Sequence, residues 1–151
     1  MGIEAFRHRL PLRVRWAEVD LQAVVFNGHY LTYADVCATE YWRAIGVPYP
    51  SGFASLGIDA FVRKATVEYH APARYDDELL VCGRIGRLGR SSASFAVAMF
   101  RAEETARALV EAELVYVCVD AGAAPLAWPA QMRQRICAFE GVVVQEGGTG
   151  G

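Results

Sequence analysis

Glu18 and Asp20, followed closely by Asn27, Gly28, His29 and Tyr30, are the residues of this chain whose types and spacing could do acid–base chemistry. A carboxylate can take a proton from water or attack a carbonyl carbon itself, and an amide or imidazole nearby can orient the attacking group. Glu18 and Asp20 alternate with Val19, so an extended backbone puts both side chains on one side and mimics a catalytic acid pair. Glu18 nevertheless reads more simply as a surface charge. Asp20 taken alone reads as a turn or capping residue, because it falls between a strand and a helix. Histidine is a common general base, but His29 reads as a packing or solvent-exposed residue, and His8 and His70, at strand ends, read as structural.

Several common chemistries are missing. The sequence has no GxSxG elbow for a serine hydrolase and no GxGxxG or GxxxxGK[ST] loop for nucleotide phosphates. Cys37, Cys82, Cys118 and Cys137 form no CxxC pair and have no histidine at zinc-site spacing, so neither a metal nor a redox cofactor is expected. The 15 basic and 17 acidic residues leave a net charge of -2 and are scattered, which argues against a nucleic-acid partner. No apolar run approaches the roughly 20 residues of a membrane span, and Met1 to Leu10 carries charges instead of a signal-peptide core. A cytoplasmic protein with reduced thiols and no membrane partner is the expectation.

The elements that must hold these residues are legible from periodicity. Phe6 to Trp16 predicts a first strand, with Leu10, Leu12, Val14 and Trp16 alternating with Arg13 and Arg15, and Pro11 marks an edge. From Tyr30 to Ile45 the apolar period becomes helical: Tyr30, Ala34, Cys37, Ala38, Tyr41 and Ile45 share a face. Thr32, Asp35, Thr39 and Arg43 lie opposite, but apolar Leu31 and Trp42 flank the stripe, so protein should cover most of this helix. Gly46 and Pro48 end it. After a Ser51 to Gly57 loop, alternation predicts strands over Ile58 to His70, Glu78 to Ile85, Ser91 to Arg101 and Ala108 to Val119, with short connectors that favour antiparallel pairing. A short helix over Pro129 to Phe139 precedes a glycine-rich tail. The order is α+β, with five antiparallel strands able to wrap one long helix. A single domain over residues 1–140 and a flexible tail over 141–151 are expected.

The segment from Arg15 to Tyr30 resembles the signature of the 4-hydroxybenzoyl-CoA thioesterase family: an aspartate after the first strand, then a small residue, a Val-aromatic pair and a tyrosine. Asp20, Ala23, Val25, Phe26 and Tyr30 take those places in order. Tyr69 to Leu79 resembles the family's turn between its second and third strands, so the likeness covers nearly everything before Phe139. Ala23 stands where many relatives have glycine, and Asn27 where others carry histidine or tyrosine.

The resemblance implies a hotdog fold, in which an antiparallel five-stranded sheet wraps a long central helix and a short C-terminal helix follows. It also implies a thioesterase that hydrolyses an acyl-CoA to a free acid and CoA, without metal or cofactor. Asp20 would act as general base or as nucleophile. The helix tip would supply backbone N–H groups to the developing oxyanion, chiefly Asn27 with help from Gly28, since a helix N-terminus presents free donors at the positive end of its dipole. Val25, Phe26, Gly28, His29 and Tyr30 would contact substrate, and the Asn27 side chain could orient water. Arg63, Lys64, Arg87, Arg90, Ser91 and Ser92 are candidate partners for CoA phosphates. A homodimer or homotetramer is implied, with each site at a subunit boundary. Open alternatives are an acyl-carrier-protein thioester as substrate, a hotdog hydratase or dehydratase, and a noncatalytic acyl-CoA or apolar-ligand binding module.

Overall fold

The computed structural model describes residues 1–145, so the end of the expected tail, residues 146–151, lies outside the described residues. The elements are β1 (His8–Arg13), α1 (His29–Ala44), α2 (Ser51–Ser55), β2 (Asp59–Tyr69), β3 (Glu78–Leu88), β4 (Ser92–Arg101), β5 (Val110–Val119), α3 (Ala130–Glu140) and β6 (Val144–Gln145). The first five strands pair antiparallel in the order β1-β3-β4-β5-β2, as expected of a hotdog sheet. β6 adds two residues parallel to β3, through Arg87–Val144 and Leu88–Gln145. These two residues fall within the segment expected as a tail.

Alternation along the strands decides which face meets the helix. Val81, Gly83 and Ile85 of β3 stand opposite Met99, Val97 and Phe95 of β4, which stand beside Val110, Ala112 and Leu114 of β5. With Tyr33, Cys37 and Tyr41 of α1 they form the main core. A Cβ at Gly83 would collide with the ring of Phe95 and with Cys37 Sγ, so glycine is what lets α1 lie close to the sheet. On the outer face Cys82, Ala98 and Phe100 make a smaller cluster roofed by Phe6 and the turn Ile3–Ala5.

Tyr41 ties the layers together. Its ring packs edge-on to Phe95 at 5.2 Å and to Phe139 of α3 at 5.5 Å. Its hydroxyl donates to Glu140 Oε2 at 2.7 Å, and the same oxygen accepts the Ile85 N–H at 2.9 Å. One carboxylate thus satisfies a buried phenol and a strand amide at once.

Three expectations need correction. The first strand ends at Arg13, and Trp16–Glu18 forms a 3-10 turn with Trp16 76% exposed, because the Glu18 carboxylate pulls the chain round to bond the Arg15 N–H. The Ser51 to Gly57 segment contains α2, held by buried Phe53 against Trp42; the glycine and serine masked that anchor. The far side of α1 is not covered within one chain, since Leu31 and Val36 are 39% and 40% exposed. Among the described residues no helix is long and apolar enough to cross a membrane.

Candidate active site

The link between β1 and α1 is a tight hairpin. Val19 and Val25 bridge antiparallel, the Asp20 N–H donates to the Val24 carbonyl at 2.9 Å, and the Ala23 N–H donates to the Asp20 carbonyl at 2.9 Å. Asp20 Oδ1 accepts the Gln22 N–H at 2.8 Å, the local bond that makes aspartate a turn residue. Ala23 sits at φ 62, the left-handed position that closes such a hairpin and usually takes glycine. The turn reading of Asp20 is therefore correct as far as Oδ1 goes. Among the described residues Oδ2 has no hydrogen-bond partner, so half of the carboxylate remains for other work.

Glu18 is not the surface charge expected from the sequence. Only 5% of it is exposed. Its Oε1 accepts the Arg15 N–H at 2.7 Å and the Tyr33 hydroxyl at 2.9 Å, its Oε2 accepts from the Arg15 guanidinium at 2.9 Å, and its carbonyl accepts the Phe26 N–H at 2.9 Å. Burial opposes its ionisation, but the bonds from the Arg15 side chain, the Arg15 backbone and Tyr33 outweigh that, so the carboxyl titrates below its ordinary value. Glu18 is the bolt of the hairpin and takes no place in an acid pair with Asp20.

The opposite wall is the turn after β2. The Val25 N–H donates to the Ala73 carbonyl at 2.9 Å, and the Ala73 N–H donates to the Tyr30 phenolic oxygen at 3.0 Å. Asp77 stiffens this turn by accepting the Arg74 N–H and the Arg101 guanidinium. Between the walls lies a cleft of about 510 Å³, lined by Asp20, Asn27, Val25, Phe26, Tyr30 and Tyr69 among others.

Helix α1 opens onto this cleft without a cap. Gly28 is its N-cap and has no side-chain hydrogen bond. The His29 N–H is taken by the Phe26 carbonyl, but among the described residues the N–H groups of Asn27 and Gly28 have no acceptor. Free amide donors at a helix tip favour an oxygen that gains negative charge. A carboxylate with a spare oxygen, unpaired N–H donors and an aromatic-walled cleft together suit attack on a polarised carbonyl.

The sequence profile of the thioesterase superfamily matches residues 22–108. The chain belongs to the thioesterase superfamily. As a member it is a thioester hydrolase, and its fold is the hotdog fold. It is 36% identical over 112 residues to the acyl-CoA thioester hydrolase YbgC of Escherichia coli O6:H1, covering 74% of this chain and 81% of that one. Among solved structures it resembles the PA5185 protein of Pseudomonas aeruginosa strain PAO1, with TM-score 0.81, 25% identity and coverage of 91% of this chain and 94% of that one. It also resembles a thioesterase of Thermus thermophilus solved with coenzyme A and Zn, with TM-score 0.79, 26% identity and coverage of 94% of this chain and 100% of that one.

Within this superfamily frame the anticipated residues divide into two groups. Asp20, Val25, Phe26, Asn27 and Tyr30 line the cleft, with Gly28 beside them at the helix tip. His29 begins α1 with its ring edge-on to Phe26 at 5.9 Å. The anticipated CoA contacts lie elsewhere. Arg63 falls at a bulge of β2 and Lys64 follows it, while Arg87, Arg90, Ser91 and Ser92 surround the β3–β4 turn at the far end of the sheet. Ten strand residues at about 3.3 Å each put that turn on the order of 30 Å from the hairpin of the same chain. Ser91 is buried, and the Ser92 main-chain carbonyl accepts the Trp128 indole N–H.

Two residues take places that the sequence reading did not assign them: Glu18, buried beneath the hairpin, and Tyr69, whose ring lines the cleft from the end of β2. Glu68, His70 and Glu111 bring one ligand atom each within 4.8 Å of one another, a donor set suited to a divalent ion. They are largely exposed, and the His70 Nε2 already meets Glu111 at 2.9 Å. A groove beside them is lined by Glu68, Glu111 and Glu113 together with Met1, whose ammonium group meets Glu111 at 3.7 Å.

Proposed function

We propose that this superfamily member hydrolyses an acyl-CoA thioester to a free acid and CoA, with Asp20 driving the attack. The observation that carries the reading is that Asp20 and Asn27 line the same cleft, with Asp20 Oδ2 and the Asn27 N–H unengaged among the described residues. The acyl-CoA thioester hydrolase name of the Escherichia coli relative supports the substrate class. A carrier-protein thioester presents the same bond and is the neighbouring possibility within that class.

In the proposed reaction the thioester oxygen faces the N–H groups of Asn27 and Gly28. Water attacks the carbonyl carbon as Asp20 takes its proton, the oxyanion is held by the two amides, and the C–S bond breaks as the departing thiolate receives the proton. Alternatively Asp20 attacks directly, expels the thiolate and forms an acyl anhydride that water opens. Both routes need the carboxylate ionised, and neither needs a metal. Tyr30 keeps its proton under either route, since burial pushes its phenol up. Two chains would make the complete enzyme: the exposed flank of α1 and the distance of Arg87 and Arg90 from the hairpin support a partner that contributes the CoA-facing end. The four free cysteines support a reducing, cytoplasmic setting.

The test is release of thiol from acetyl-, butyryl-, palmitoyl- and benzoyl-CoA by the purified protein. Turnover of at least one is expected. Binding of these esters without thiol release would overturn hydrolysis in favour of a ligand-binding module.

A further inference from the structure

The tip of α1 is exposed and contains Gly28, and among the described residues no capping side chain grips the Asn27–Gly28 peptide from the helix itself. Backbone torsion beside a glycine is cheap, and a peptide plane there can rotate unless something grips it. The grip comes from β2. The Tyr69 hydroxyl donates to the Asn27 carbonyl oxygen at 3.1 Å, across 42 residues of sequence. The Tyr69 ring stands edge-on to Tyr30 at 5.6 Å, and Tyr30 is in turn fixed by the Ala73 N–H. The carbonyl of Asn27 and the N–H of Gly28 belong to one planar trans peptide, so pinning the first sets the direction of the second.

We infer that Tyr69 is a positioning residue, whose hydroxyl holds the Asn27–Gly28 peptide so that the Gly28 N–H, one of the two free amides of the helix tip, stays preorganised for the oxyanion. The inference rests on the proposed use of those amides in thioester hydrolysis. Preorganised donors lower the barrier because they need not reorient when charge develops. Their loss is felt in the transition state more than in the bound substrate.

Tyr69→Phe removes the hydroxyl and keeps the ring against Tyr30. With butyryl-CoA or benzoyl-CoA as probe, kcat should fall roughly tenfold, the scale of one hydrogen bond, with KM, Tm and the shape of the pH profile unchanged. Tyr69→Ala, which also strips a wall of the cleft, should raise KM as well. A wild-type kcat in Tyr69→Phe overturns the inference, as does a change confined to KM, which would make the hydroxyl a substrate contact. A loss of kcat that disappears on cooling along with a lowered Tm overturns it too. Asp20→Asn measured alongside separates the two levels: full turnover there defeats the proposed mechanism itself, whereas an inactive Asp20→Asn beside a fully active Tyr69→Phe defeats only the role of Tyr69.

Discussion

The Tyr33 hydroxyl lies 2.9 Å from the carboxylate of Glu18, and this bond fastens the central helix to the hairpin that carries Asp20. Tyr33 also packs edge-on to Tyr30 at 6.0 Å, so the contact reaches the wall of the cleft. Position of the Asp20 hairpin relative to the helix tip is thereby set from inside the core.

Loss of the Glu18 carboxylate should cost stability in a pH-dependent way. Glu18→Ala strands a buried phenol and a turn amide, and a penalty of about 2 kcal/mol or more in denaturant unfolding is expected. Because the folded carboxyl titrates below its ordinary value of 4.5, its ionised form stabilises the fold at neutral pH. That contribution fades as pH falls from the ordinary carboxylate range through the lower folded value. Glu18→Gln should therefore be less stable than the parent at pH 7, and Tm curves of the two should converge in acid. Parallel Tm curves from neutral to acid pH would refute the assignment.

Asp20→Asn keeps the acceptor that Gln22 needs and removes the negative charge, so the hairpin should survive it. The expected result is a kcat lower by about 10²-fold or more, with binding of a CoA ester and the far-UV spectrum retained. Asp20→Ala, which also loses the turn bond, should show the same kinetic defect plus a small drop in Tm.

Ala23→Gly should run against the usual cost of glycine. A residue with a Cβ at φ 62 carries about 1–2 kcal/mol of strain, whereas the extra freedom of glycine in the unfolded chain costs about 0.4–1 kcal/mol. Chemical denaturation should show a variant as stable as the parent or up to about 1 kcal/mol more so. A clear destabilisation would mean that the Ala23 methyl is needed for packing.

How much of this was legible in the sequence depended on how local the determining contact is. Tyr30, Ala34, Cys37 and Tyr41 announce α1 because helical spacing is written in neighbouring residues, and Pro11 announces an edge strand for the same reason. Asp20 was legible only through its motif, since by residue type alone it is the turn residue that its Oδ1 shows it to be. Glu18 was misread because its burial depends on Tyr33, which reaches it only once the chain folds back. The bond from Tyr69 to Asn27 is more distant still, and no periodicity encodes it. Arg87 and Arg90 were read as candidate partners for CoA phosphates, and within one chain they stand at the other end of the sheet from the hairpin.

The two outer strands of the sheet differ in a way that limits growth. β1 carries Pro11, which lacks the N–H that an added strand would need there, while among the described residues β2 runs for 11 residues with a paired strand, β5, on one side only. A ribbon with two receptive borders could lengthen indefinitely into a fibre. With one border blunted, edge-to-edge growth in both directions is disfavoured.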